Sequence, residues 1–296
     1  VMSEVDAFQY VDWNVMAILV SIWVIAGYFG KTGVPSWLAL QALRLSGGRP
    51  GLLVMLLSML AGVISMFVDN VVTILMMAPV ALPLARALSI PITPLILMIG
   101  FSANFMGTAL LLGDLPPQML HSVSGAEFGD FIWQFGRPSS FPILMVTFVI
   151  TLGAMYAYGF RAIGRRAASV GDVGIEAKIP DPLFATLVVG WFLLTVVGMA
   201  FREALQMKLG FIALTGAVTL VLLLELLGKR VKAPKFEEII QELDWRAIFF
   251  YIALFALVGG LEKMKLLELL AHGLTPIFQE NLALGATLLF WATVPI

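Results

Sequence analysis

Asp69 and Asn70 lie between two long apolar runs, Gly51–Val68 before them and Val71–Ala85 after them. An ionised carboxylate at bilayer depth costs roughly 2.5–3.5 kcal/mol on insertion scales. Such a group persists where it binds something polar or takes up a proton. That is the chemistry of ion and proton handling, and it makes Asp69 a transport-site candidate. The plainer reading is an N-cap, with Thr73 in the first turn of the helix that follows. A Ser or a lone Asn would cap at a lower desolvation cost.

A second constellation interrupts the next apolar stretch: Ser102-Ala-Asn104-Phe-Met-Gly107-Thr108, then Gly113-Asp114-Leu115-Pro116-Pro117-Gln118. Asn, Gly, Thr and Asp followed by two prolines predict a discontinuous helix. Its unwound carbonyls and half-helix ends are suited to hold ions or substrate at the midplane. Asn104 and Thr108, four residues apart, share one helix face. For Asp114 the alternative is an ordinary exit turn, Gly113-Asp114-Leu-Pro, at the surface.

The elements that must position these groups are membrane helices. The 296-residue chain is 60% hydrophobic and 12% charged, against about 25% charged for soluble domains. Apolar runs recur at about 14–30, 51–67, 71–88, 93–112, 141–160, 183–200, 209–227, 245–261 and 282–296, with amphipathic pieces at 35–45 and 264–272. The fold class is an all-α polytopic membrane protein. Net charge is −1, with no basic stripe to suggest nucleic acid as a partner, and the absence of cysteine removes disulfides, zinc–cysteine sites and iron–sulfur clusters. No cofactor is implied. His121 and His272 make no metal-ligand spacing and read as interfacial. The methionines read as packing, and Glu237 to Glu242 as a solvated helix. Trp13, Trp37, Trp133 and Trp245 suit an interfacial aromatic belt. Gly27 with Gly30, and Gly259 with Gly260, suit close helix contacts.

The linkers 31–50, 161–182 and 228–244 carry most of the Lys and Arg, including Arg165, Arg166 and Lys178. The positive-inside rule makes them cytoplasmic and the N-terminus external. Asp12-Trp13, Gly27, Lys31 and Leu38-Ala39 recur 232 positions later as Asp244-Trp245, Gly259, Lys263 and Leu270-Ala271. An odd number of crossings separates the copies, which predicts an inverted repeat of the kind found in secondary transporters. The division is then 1–227 as a first repeat, with a re-entrant hairpin at 51–88 and a broken helix at 93–120. Residues 228–244 form a cytoplasmic linker, and 245–296 begin a second repeat. The counterpart of Asp69 would fall at position 301, so the sequence is expected to belong to a longer protein. Arms of about seventeen residues reach roughly 25 Å, which favours a hairpin, although two full spans would satisfy the same loop charges.

The Asp-Trp opening, the run Phe67-Val-Asp69-Asn70-Val-Val-Thr73 with Ala78-Pro79-Val80, and Asn104-x-x-Gly107-Thr108 followed by Gly113-Asp114 and a Pro pair resemble the ion transporter superfamily. Within it they resemble the arsenite-permease, P-protein and NhaD-type sodium–proton antiporter branch, which shares a citrate-transporter-like domain. The resemblance implies two inverted repeats, each with a re-entrant hairpin and a broken helix, in a homodimer set in a cell membrane such as the bacterial inner membrane. It implies that Asp69, Asn70 and Thr73 form the hairpin tip, and that Asn104, Gly107, Thr108, Gly113 and Asp114 form the broken helix. Asp69, Asn70 and Asn104 are then candidate sodium ligands, with Na+ or H+ as the coupling ion. The family often shows Gly-Asp-Pro-Pro-Asn where this chain has Gly113-Asp114-Leu115-Pro116-Pro117-Gln118.

The expected function is secondary transport of ions or small anions: sodium–proton antiport, or arsenite, oxyanion or carboxylate transport. Two other classes compete with it. An intramembrane aspartyl protease would use Asp69 and Asp114 as a proton-sharing pair, but such enzymes usually carry Gly-x-Gly-Asp, and position 111 is Leu. A non-transporting scaffold leaves the intramembrane Asp without a purpose.

Overall fold

Gly and Pro mark several helix boundaries, as at Gly33, Pro50, Pro91, Gly107 and Pro182. The computed structural model describes residues 4–161 and 179–293; Arg165, Arg166 and Lys178 of the basic linker lie outside them. In chain order the helices are α1 (Glu4–Gln9), α2 (Trp13–Lys31), α3 (Val34–Leu45), α4 (Pro50–Ser65), α5 (Asn70–Ala87), α6 (Ile92–Gly107), α7 (Leu115–Ser124) and α8 (Ser140–Met155). They continue as α9 (Pro182–Ala200), α10 (Arg202–Leu205), α11 (Leu209–Leu227), α12 (Phe236–Glu242), α13 (Trp245–Lys263), α14 (Leu266–Glu280) and α15 (Leu282–Thr293). A π-helical turn, Tyr156–Phe160, extends α8. A short antiparallel ribbon pairs Trp133–Gln134 with Arg137–Pro138. The apolar stretch 93–112 is not one helix: it stops at Gly107, and α7 starts only at Leu115.

Among the described residues, six helices are long and apolar enough to cross a membrane: α2, α5, α8 with its π turn, α9, α11 and α13. Helices α4 and α6 are apolar but only 16 residues each. That is about 24 Å of rise, short of the ~30 Å hydrocarbon core.

The chain divides into two compact units. The larger, Trp13–Leu243, holds two apolar clusters. One is built from α3 to α6 and α8 with one side of α2 and with Val196, Met199, Leu209 and Ala213 of α9 and α11. The other joins the second side of α2 to α9, α11 and α12. Missing Cβ atoms set these approaches: a Cβ on Gly27 would lie 3.0 Å from Ile239 Cγ2, and one on Gly30 3.1 Å from Met76 Cγ. Helix α12 is therefore not solvated all round. Its glutamates face outward while Ile239 is fully buried against α2. Between α9 and α11 the Trp191 indole N–H donates to the Gly216 carbonyl (3.0 Å) and the Thr219 hydroxyl (3.1 Å). The smaller unit consists of Val1–Asp12 with Asp244–Ile296. In it, α1 packs on α13, and Gly259 makes room for the Tyr10 ring.

Helix N-termini are closed from a distance as well as locally. The Gly210 N–H at the start of α11 donates to Asn14 Oδ1 of α2 at 2.9 Å. Asp181 caps α9 through Leu183 and Phe184 and also accepts from the Lys232 N–H at 2.8 Å. The Lys232 bond, then those from Phe184 and Leu183, hold the Asp181 carboxyl below the usual carboxylate range. A carboxyl depressed on folding contributes stability that is complete above its unfolded pKa and is lost as pH falls through the lower folded value. Replacing Asp181 with Asn should therefore lower the thermal midpoint in detergent at neutral pH. The gap to the parent should close as the solution is acidified below about pH 4.

Candidate functional site

Four helix ends converge inside the apolar cluster of the larger unit. Helix α4 ends at Ser65 and α5 begins at Asn70; α6 ends at Gly107 and α7 begins at Leu115. Helix α6 packs along both α4 and α5. Gly113 is the closest point: a Cβ there would overlap both the Gly107 and the Ser65 carbonyl oxygens. The carbonyl ends of α4 and α6 thus close on a single Cα. A Cβ on Gly107 would lie 3.3 Å from Ser65 Oγ and 3.4 Å from Asp114 Cβ. Space requires glycine at Gly113, while a Cβ on Gly107 would crowd Ser65 Oγ; neither residue has a left-handed backbone.

Carboxylates occupy the two N-terminal ends. Asp69 Oδ1 accepts from the Val71 N–H at 2.9 Å and the Val72 N–H at 3.4 Å. Asp114 Oδ1 accepts from the Leu115 N–H at 2.8 Å. Both side chains are buried, at 4% and 8% exposure. The N-cap reading and the buried-acid reading therefore hold together: one oxygen of each carboxylate caps its own helix. Asn70 joins the two breaks, its Nδ2 donating to Asn104 Oδ1 and to Asp114 Oδ2, each at 2.9 Å. Each helix N-terminus carries roughly half a positive charge, and each carbonyl end a similar negative one. When its two carboxyls are ionised, the centre is net negative and rich in acceptors, which favours a cation. Among the described residues no group of three or more His, Cys, Asp or Glu side chains is placed to hold a metal ion.

Six of the residues singled out from sequence meet here: Asp69, Asn70, Asn104, Gly107, Gly113 and Asp114. Asp114 is buried rather than in a surface turn. Thr73 sits beneath the tip, fully buried, its hydroxyl 3.4 Å from the Val68 carbonyl and its N–H bonded to the Asp69 carbonyl. Thr108 caps α6, its hydroxyl donating to the Phe105 carbonyl at 2.9 Å. It faces an open cavity of about 270 Å³ that Pro116, Pro117, Ser139 and Ser140 also line. Sequence reasoning misses Ser65. Its hydroxyl is buried at the meeting point without a hydrogen-bond partner. The available signal is a hydroxyl one turn before Asp69, in a helix whose other hydroxyl is Ser58.

Replacing Gly113 with Ala would drive a methyl group into two carbonyl oxygens. It should cost about 1–3 kcal/mol, read as a lower thermal midpoint in detergent, whereas Ala at the open Gly153 position should change far less.

Residues 1–295 match the family described as citrate transporter. An uncharacterized transporter of Mycobacterium tuberculosis is 28% identical over 97% of this chain and 64% of its own length. An uncharacterized transporter of Synechocystis is 25% identical over 96% of this chain and 62% of its own. The human P protein is 21% identical over 90% of this chain and 39% of its own. The chain thus spans somewhat less than two thirds of the length of the bacterial relatives it matches.

Proposed function

The chain belongs to the citrate transporter family, and on that premise we propose that it holds one cation-coupled binding centre of a secondary active transporter. The observation that carries this reading is the Asn70 amide, which bridges the tip between α4 and α5 to Asn104 and Asp114 at the α6–α7 break. Asp69, Asn70 and Asn104 supply oxygens for a sodium ion or a proton-bearing group, and Asp114 and Ser65 complete the set. Gly113 lets the backbone carbonyls approach, and Gly107 leaves room for the Ser65 and Asp114 side chains. Thr73 and Thr108 brace the two helix ends.

A small carboxylate such as citrate is the substrate class we assign. Two buried carboxylates repel an anion until a cation has entered, so substrate and cation bind together or not at all. That dependence is the physical basis of coupling. The helix N-termini of α5 and α7 become anion donors once their caps are neutralised. Sodium–proton antiport and arsenite or other oxyanion efflux use the same centre with different cargo. In this reading the N-terminus faces outward, and loops 31–50, 161–182 and 228–244 face the cytoplasm. The apolar outer faces of α8, α9 and α13 meet lipid or a second copy in a homodimer.

The test is gradient-driven uptake by the full-length protein in proteoliposomes, with labelled citrate and an imposed sodium or proton gradient. Asp69→Asn and Asp114→Asn should each reduce flux to the level of empty vesicles while the protein inserts and migrates normally. Wild-type flux in Asp69→Asn would reject the coupling role. Dye-reported proton release driven by sodium, without citrate uptake, would move the assignment to antiport.

A further inference from the structure

The ribbon between α7 and α8 has a fixed base and a bare tip. At the base, Phe131 is buried in the apolar cluster, and the Ser140 hydroxyl reaches the Phe131 carbonyl at 3.3 Å. The Ser139 N–H donates to the Ile132 carbonyl at 3.1 Å, one step outside the pairing of Trp133 with Pro138. At the tip, Phe135 and Gly136 make a two-residue turn, both left-handed, at φ 49° and 73°. Two left-handed residues suit the tight type I′ hairpin turn, for which Asn-Gly or Asp-Gly is the unstrained choice. A bulky aromatic at positive φ is strained, and Phe135 is also 93% exposed. In water, Asn would serve better on both counts.

Phe135 has apolar company. Ile132 is exposed and Trp133 is 58% exposed, and Arg137 is exposed beside the turn. Gln134 borders the open cavity beside Thr108. Side chains alternate along a strand, so Trp133 is turned away from that cavity.

The helix that follows sets the depth of the ribbon. Ser140–Phe160 runs 21 residues and is mostly unburied. Its rise is about 31 Å, which matches the ~30 Å hydrocarbon core. When this span crosses the bilayer, its Ser140 end stands at one edge of the core, and the ribbon just before it stands at headgroup level. Ile143 and Val146, in the first two turns, are exposed on its outward face, so the phase that meets them continues to the ribbon.

We propose that the Trp133–Pro138 ribbon is an anchor in the membrane interface. Phe135 and Trp133 enter the boundary between phospholipid headgroups and acyl chains, and Arg137 meets headgroup phosphate. Aromatic rings favour that layer, and a long basic side chain can lie along it with its charge in the headgroups. Gln134 of the same ribbon walls the cavity, so the anchor also fixes that wall relative to the bilayer surface. The inference needs the chain in a membrane but does not need the transport reading.

The chain contains no cysteine, so a single introduced thiol reports on its own position. In the full-length protein otherwise free of cysteine, Phe135→Cys is labelled with a nitroxide and reconstituted in phosphatidylcholine–phosphatidylglycerol vesicles. Collision with oxygen, which concentrates among acyl chains, is compared with collision with a water-soluble nickel chelate. Val146→Cys on α8 is the lipid reference and Glu238→Cys on α12 the aqueous one, both at exposed positions. Interfacial apolar groups sit about 5–10 Å into the headgroup boundary, so the oxygen-to-nickel ratio at Phe135→Cys should exceed that at Glu238→Cys by about threefold or more. A ratio equal to that at Glu238→Cys would overturn the anchor. Exclusion of both reagents would also overturn it, because a protein surface would then cover the tip. If Phe135→Cys fails to accumulate, Trp133→Cys read against the same references decides.

Discussion

A helix that ends inside an apolar bundle leaves unsatisfied N–H groups at one end and carbonyls at the other, with no water to receive them. Most of the larger unit is arranged around that difficulty. Asp69 and Asp114 each give an oxygen to an N-terminal end, while the carbonyl ends of α4 and α6 are pressed together over Gly113. Placing donors, acceptors and two acids in one buried spot is costly for stability. The same placement leaves a polar centre where lipid-like packing would otherwise exclude ions. Ser65 is buried at this spot without a partner, as Ser21 and Ser58 are elsewhere.

The surrounding helices sort by task. Helices α9, α11 and α12 pack on one side of α2 through small residues and a Trp–carbonyl bond, and none of them supplies a group to the centre. Helices α4 to α7 supply every group that does, with α3 and α8 packed outside them. Helices α2, α9 and α11 contribute to both clusters. The polar contributions of α2 go to structure, as when Asn14 closes the start of α11.

Much of this is legible without coordinates. The apolar stretches predict most helices within a few residues, because 3.6-residue periodicity is unnecessary when a helix is apolar all round and the boundaries are marked by Pro, Gly and Asp. Asp69–Asn70 and Gly113–Asp114 stand out because charge is rare at that depth. What sequence does not supply is pairing across distance: nothing local says that Asn70 meets Asp114, 44 residues on. Ser65 does not stand out as an isolated Ser, and Gln118 stands out only as the residue after the Pro pair; burial without a partner makes both informative. His121 reads as interfacial from its position near a helix end, yet the loop folds back so that the Ala126 carbonyl covers it. The ribbon at Trp133–Pro138 escapes notice because two-residue strands carry no periodicity.

That same loop is fastened at a second point. Glu127, two residues past Gly125, holds Arg202 through both of its carboxylate oxygens, and Arg202 begins the short turn that follows α9. The pair thus ties the half that carries the polar centre to the half that carries none. Sliding of one half against the other would pull these half-buried ions away from each other and return both to solvent. Any such excursion would have to break the fork-to-fork contact, which therefore opposes it.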